Sequence, residues 1–257
     1  TEGRAWFQLY NPVDPEIRQD IIRRAGDAGC PVLVLLCDVP TFGYRPRDIK
    51  NGLALPPKMS LTNILQVLGK PRWALQTLRY GQPTFETVKP YMPGGMNLRQ
   101  LGAFMNRTFS GLLDAEKIKP IRDQWKGKLV LKGVASEWDA QQAVQLGFDG
   151  IIVSNHGGRQ LDAGESTIRP LARLAANYRD KLTVMVDSGL RSGPDVARAM
   201  ACGADFTFMG RSFMYGVGAL GAKGGDHTMS MLKTQFRQVM DQLCCERVED
   251  LPKHLVI

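Results

Sequence analysis

The segment Ser154-Asn155-His156-Gly157-Gly158-Arg159-Gln160-Leu161-Asp162 sets an imidazole three residues ahead of a guanidinium, with two glycines between them. Imidazole is a base near neutral pH, and guanidinium clamps a carboxylate through two parallel hydrogen bonds. An isolated histidine is more often a satisfied structural residue. His156 differs because Arg159 and a second arginine, Arg45, can face it, and Asp38 can hold the ring and stabilise its protonated form. Two further segments suit a phosphate. In Asp187-Ser188-Gly189-Leu190-Arg191 and Gly210-Arg211, the glycines let backbone approach a ligand and the arginines supply charge. Either alone reads equally well as ordinary turn chemistry; the two together favour phosphate.

These residues need a scaffold that delivers them to one place. Six short apolar runs qualify as strands: Trp6 to Tyr10, Val32 to Cys37, Leu129 to Gly133, Gly150 to Ser154, Thr183 to Asp187 and Phe206 to Met209. Amphipathic stretches such as Pro15 to Ala28, Glu137 to Leu146, Ile168 to Tyr178 and Pro194 to Met200 separate them, the pattern of βαβ units and a parallel sheet. The last four runs begin 21, 33 and 23 residues apart, as barrel units do. The expected fold is therefore α/β, a (β/α)8 TIM barrel lacking its first two strands in this chain. Such a barrel takes about 250 residues, and a Pro-, Gly- and Met-rich insertion at about 53–109 leaves room for six units. An open doubly wound sheet is the alternative. A barrel carries its reactive residues at the C-terminal strand ends. The exits offer Gln8 and Tyr10, then Asp38 with Arg45 and Arg47, then Lys132, then the His156 segment, then Asp187 to Gly193, and last Gly210 and Arg211. Six parallel strands leave two open edges, so upstream chain or another protomer is expected to cover the gap, and a homo-oligomer is expected.

With 257 residues, 44% apolar and 23% charged, the composition excludes disorder, collagen and coiled coil. No apolar run approaches the roughly 18 residues of a membrane span, and the first residues carry no signal-peptide pattern. The five cysteines, 30, 37, 202, 244 and 245, have no C-x-x-C spacing, so neither a disulfide framework nor a metal site is expected, and the reading is cytoplasmic. Lys and Arg number 33 against 25 Asp and Glu, a net +8. Between Lys50 and Arg99 stand seven basic residues (50, 58, 70, 72, 79, 89, 99) and one acidic, Glu86, which makes +6 of that excess. Leu61, Ile64, Leu65, Leu68, Trp73, Leu75 and Leu78 interleave with these charges. Such a stretch can rest its apolar side in an anionic membrane surface, giving a peripheral location on the cytoplasmic face of the inner membrane. A solvated lid or subunit contact is the competing reading. Nucleic acid is not expected, because no recognition motif accompanies the charge. His227 and His254 lack a partner pattern, Met92, Met96 and Met105 read as gap-filling contacts, and Cys244-Cys245 reads as packing.

The nine residues SNHGGRQLD resemble the signature of the FMN-dependent α-hydroxy acid dehydrogenases and oxidases. The resemblance extends through WFQLY at 6–10, the region 38–51, LVLKGV at 129–134, VDSGLRSG at 186–193 and FMGRSF at 208–213. It implies a (β/α)8 barrel that binds FMN and oxidises an L-2-hydroxy acid, lactate- or mandelate-like, to the 2-oxo acid. By that resemblance His156 is the base, taking the C2 or the hydroxyl proton according to mechanism. Asp38 pairs with it, Arg45 and Arg159 bind the substrate carboxylate, and Tyr10 contacts the substrate oxygen. Lys132 would sit by the flavin where negative charge develops. Gln8 and Ser154 would contact the ring, and Asp187, Gly189, Arg191, Gly210 and Arg211 would hold the ribityl phosphate. Leu36 stands where many members carry Thr, which removes one polar flavin contact. The family's N-terminal part would add two strands, a substrate-contacting Tyr and part of the flavin cradle. The PRWAL at 71–75 resembles the membrane-bound branch, which implies a quinone or similar electron acceptor. A soluble oxidase using oxygen and a non-catalytic phosphate-binding barrel fragment are the alternatives.

Overall fold

The computed structural model describes residues 3–41, 43–52, 60–81, 85–94, 98–109 and 113–256, the side chains of 98 and 99 excepted. Six strands lie where the apolar runs predict them: β1 (Phe7–Leu9), β2 (Val32–Leu36), β3 (Lys128–Val134), β4 (Gly150–Val153), β5 (Thr183–Val186) and β6 (Phe206–Thr207). All neighbours are parallel and the spatial order is β1-β2-β3-β4-β5-β6, with Gln8 opposite Val34, Val130 opposite Gly150 and Met185 opposite Phe206. A doubly wound sheet reverses its strand order at a switch point, and this one does not. The sheet also curves enough to bring the rings of Trp6, ahead of β1, and Phe208, after β6, edge-to-face at 5.5 Å. The architecture is a partial (β/α)8 barrel. Among the described residues β1 and β6 each pair on one side only.

Both faces of the central strands are buried, as in β2 and β4, which is why they read as unbroken apolar runs. Val32, Val34, Val130, Ile152 and Met185 point inward with Phe208. Alternate residues such as Leu33, Leu35, Leu129, Leu131, Ile151 and Val184 point outward to the helices. These are α1 (Pro15–Asp27), α2 (Pro46–Lys50), α3 (Leu61–Leu68), α4 (Pro71–Tyr80), α5 (Leu98–Thr108), α6 (Ala115–Gln124), α7 (Glu137–Gln145), α8 (Ile168–Tyr178), α9 (Gly193–Ala201), α10 (Arg211–Leu220) and α11 (Gly224–Gln242). One device fastens two successive strands. Asp149 accepts from Leu129 N at 2.9 Å and from the Lys128 amine at 2.7 Å, and Asp205 accepts from Val184 N at 2.8 Å and Arg179 Nε at 2.7 Å. Each aspartate precedes its own strand and satisfies the start of the preceding one.

The insertion is not uniform. Helices α3 and α4 contain no buried residue, and Leu61, Leu65, Leu68, Leu75 and Leu78 are exposed. Beyond them the chain returns to the core. Val88 and Phe104 are buried in it, Met92 and Met105 pack against it, and Arg24 donates to the Thr87 carbonyl at 2.8 Å. Lys58 and Met96, and the side chain of Arg99, lie outside the described residues.

Candidate functional site

The site is built at the ends of β3, β4 and β5. Ser154, buried directly after β4, accepts from the Lys132 amine at 2.8 Å and from His156 N at 3.1 Å. The chain then turns through left-handed backbone at His156 (φ 55°), Gly157 (φ 67°) and Gly158 (φ 72°). A histidine adopts such a φ only when its surroundings hold it there. Here Asn155 Oδ1 accepts from Gly157 N at 3.0 Å, and Ser188 Oγ accepts from Gly157 N at 3.1 Å and Asn155 N at 3.3 Å. Gly157 is also fixed by space: a Cβ there would lie 2.2 Å from Arg211 Nη2, which donates to the Gly157 carbonyl at 3.2 Å.

The turn aims His156 Nδ1 at Asp38 Oδ2, 3.1 Å away, with both side chains mostly buried. Gly133 makes room for that carboxylate. With φ 103° it sits at a register shift in β3, and a Cβ there would fall 2.6 Å from Asp38 Cβ. The other carboxylate oxygen, Oδ1, is buried without a partner among the described residues. Nearby, burial pushes the Tyr10 phenol up from its ordinary pKa and the charge of Asp38 adds to this, while Arg45 and a hydrogen bond from Gln8 pull the other way. Tyr10 therefore keeps its proton to higher pH than a free tyrosine. Beneath the histidine, the inward-pointing Lys132 amine lies 2.5 Å from Asp187 Oδ2. Asp187 is thus tied to Lys132, and its other oxygen accepts from Ser188 Oγ at 2.8 Å.

A cavity of about 770 Å³ opens above this pair. Of the thirteen residues singled out by sequence, Gln8, Lys132, His156, Arg159, Asp187, Gly189, Arg191, Gly210 and Arg211 line it. Ser154, Tyr10, Asp38 and Arg45 do not line it; Ser154 and Asp38 bond the lining residues Lys132 and His156. Arg45 and Arg159 converge from different loops on one carboxylate, that of Asp48, at 4.0 and 3.7 Å. Sequence reasoning passed over Asp48, Asn155 and Ser188. The first had a visible signal, being three residues from Arg45 on one helical turn. Among the described residues no cluster of His, Cys, Asp and Glu could hold a metal ion.

The whole chain, residues 1–257, matches the family described as FMN-dependent dehydrogenase. The chain belongs to that family. It is 39% identical over 236 residues to an L-lactate dehydrogenase of Caulobacter sp. (strain K31), covering 91% of this chain and 62% of that protein. An L-lactate dehydrogenase of Haemophilus influenzae (strain PittEE) is 36% identical over 253 residues, 98% of this chain and 66% of that protein. The chain thus spans slightly under two thirds of the length of these relatives. Among solved structures, a monotopic membrane protein, (S)-mandelate dehydrogenase, superposes with a TM-score of 0.89 at 35% identity, covering 96% of this chain and 65% of that one. A mandelate oxidase gives 0.74 at 33% identity, covering 96% and 62%.

The family is FMN-dependent, and the cavity fits that group. A Cβ at Gly189 (φ 81°) or Gly210 would meet nothing within 4 Å, so both backbones face open space beside Arg191 and Arg211, as a phosphate cradle requires. Lys132 is 8% exposed and presents a cation at the floor. Leu36, also buried, offers no polar contact.

Proposed function

We propose that the protein oxidises an L-2-hydroxy acid, lactate- or mandelate-like, to the 2-oxo acid, and that electrons pass on to a membrane quinone or similar acceptor. The observation that carries this reading is the His156–Asp38 pair at 3.1 Å beside two converging arginines, above a cavity floored by a buried lysine. Gln8, Lys132 and Ser154 would hold the flavin ring, and Gly189, Arg191, Gly210 and Arg211 its phosphate, with Asp187 acting through Lys132. When bound, FMN accepts the two electrons that the alcohol carbon loses.

The chain's own residues do the rest. Arg45 and Arg159 take the substrate carboxylate and so orient the C2 carbon. Nδ1 of His156 is engaged by Asp38, which leaves Nε2 to receive the proton. The imidazolium that results is stabilised by the Asp38 carboxylate at the far nitrogen. Tyr10, held protonated, donates to the substrate oxygen. Arg159→Lys keeps the charge but loses the planar fork. It should weaken binding of pyruvate, a non-oxidisable product-like acid, by about ten-fold, read by calorimetry. Unchanged affinity would remove Arg159 from the clamp. The reaction itself is tested by adding lactate or mandelate without oxygen to the flavin-loaded protein, which should bleach its visible absorption.

The membrane reading is supported by α3 and α4, whose exposed leucines and Trp73 stand among Lys70, Arg72 and Arg79 with no acidic residue in either helix. It is supported also by the higher TM-score to the monotopic dehydrogenase than to the oxidase. No helix among the described residues is long and apolar enough to cross a membrane. Replacing residues 61–80 by a Gly/Ser linker removes no buried side chain and keeps Val88. That variant should stop sedimenting with phosphatidylglycerol vesicles while keeping bound flavin. Equal sedimentation of both forms would reject the membrane role.

A further inference from the structure

We propose that Asp48 is a resident counter-anion of the Arg45–Arg159 pair, displaced when a substrate carboxylate enters, and that its charge disfavours 2-hydroxy acids bearing a second carboxylate. This rests on the reading of the two arginines as the carboxylate clamp.

One oxygen of Asp48, Oδ2, faces Arg159 Nη2 at 3.7 Å and Arg45 Nη1 at 4.0 Å. Asp48 lies in the first turn of α2 and Arg45 caps that turn, so the helix carries the carboxylate to the guanidinium three residues back. Arg159 arrives from the loop after β4. Both distances exceed hydrogen-bond length, so neither fork is saturated and both remain able to take an anion at closer range. Among the described residues Arg45 Nε is buried with no partner, a donor still without an acceptor. The geometry is that of charge balance, not of a bond that fastens two loops.

The fastening is done elsewhere. Gly43 N donates to Gln160 Oε1 at 3.0 Å, and a Cβ on Gly43 would lie 2.3 Å from the Arg159 carbonyl, so the two loops touch through backbone. Asp48 can therefore lose its charge without releasing Arg159 from Arg45. What changes is the field. With Asp48 ionised, the incoming carboxylate meets two positive charges and one negative; with Asp48 neutral it meets two positive charges alone. Asp48 is about one third exposed, as is Arg45, which limits the effect to that of a solvent-screened pair. One unit charge about 4 Å away in a mostly aqueous setting corresponds to about five-fold in affinity at low ionic strength. A ligand with two negative charges is repelled by Asp48 more than a ligand with one, so its gain on neutralising Asp48 is larger.

The test is calorimetric binding of pyruvate, a monoanion, and oxalate, a dianion, to the flavin-loaded protein, its Asp48→Asn and Asp48→Glu variants and the Arg159→Lys variant. Asp48→Asn should bind pyruvate about five-fold more tightly at low ionic strength and oxalate by a larger factor. Both gains should fade near about 1 M salt, where the screening length falls to about 3 Å. Asp48→Glu, which restores the charge, should return both affinities toward the parent. Weaker or unchanged binding by Asp48→Asn, or a gain that salt does not reduce, would overturn the proposal, since a residue that only braces the loop would weaken binding when altered. If Arg159→Lys loses affinity while Asp48→Asn gains none, the role of Asp48 alone fails. If Arg159→Lys leaves both ligands unaffected, the clamp itself is wrong.

Discussion

His156→Gln, loaded with flavin, should be reduced by a 2-hydroxy acid at least about a hundred-fold more slowly than the parent protein, the scale on which a positioned general base acts. Glutamine retains a polar side chain of similar reach but has no nitrogen that can carry the proton away. The loop should survive the change, because its left-handed course is held by backbone donors to Asn155 Oδ1 and Ser188 Oγ, not by the ring. Flavin content should also survive, since His156 N, which bonds Ser154 Oγ, is present in any residue. Stopped-flow mixing without oxygen reads the rate, and the ratio of flavin to protein absorbance reads retention. Asp38→Asn is the companion. It keeps an acceptor 3.1 Å from Nδ1 but removes the charge that stabilises the imidazolium, so it should slow reduction without altering flavin content. Reduction of His156→Gln at near the parent rate would show that another group takes the proton.

The extent to which this arrangement is legible in sequence differs between its parts. The strands were plain because a parallel sheet buries both faces, so Val32–Leu36 and Gly150–Val153 are apolar at every position. Their spatial order was not, since periodicity is the same in a barrel and in a doubly wound sheet. The choice is made by contacts between distant elements, such as Trp6 on Phe208, that no local pattern carries. Composition likewise joined residues 53–109 into one insertion, yet burial of Val88 and Phe104 assigns the later part to the core. At the site, His156, Arg159 and Asp38 could be named from chemistry because imidazole, guanidinium and carboxylate at strand exits have few other uses together. For Asp187 the family resemblance implies a contact to the cofactor phosphate. Its position at the inward end of β5 also aims it at Lys132, 55 residues earlier and two strands away, a contact that only the strand register reveals. The structure adds a reason for Gly133 and Gly157 as well: each makes room for a side chain, Asp38 and Arg211, from a different unit.

Lys132→Met should lower the stability of the flavin-free protein by about 3 kcal/mol and abolish flavin retention, because one amine serves both purposes. Its Nζ lies 2.5 Å from Asp187 Oδ2 and 2.8 Å from Ser154 Oγ, on the inward face between Val130 and the mouth. Methionine fills nearly the same volume, so no cavity forms; what is lost is the charge. Asp187 is then left largely buried, its carboxylate opposed among the described residues only by Ser188 Oγ, and such a broken pair costs about 3–5 kcal/mol. The lower figure applies because the Asp187 side chain remains 20% exposed and can recover some hydration. For a protein of this size that corresponds to a melting temperature lower by about 6–10 °C. A second substitution separates the two roles. Asp187→Leu added to Lys132→Met removes the stranded carboxylate, and replacing both members of a buried pair by apolar groups is often neutral or better, so the double variant should regain most of the lost stability. It should still fail to retain flavin, since no cation remains at the cavity floor. A melting point within about 2 °C of the parent for Lys132→Met would mean that water already screens the Lys132–Asp187 pair. Flavin held by the double variant at parental stoichiometry would show that Arg191, Arg211 and the two glycines suffice to bind it, and would leave Lys132 to the fold alone.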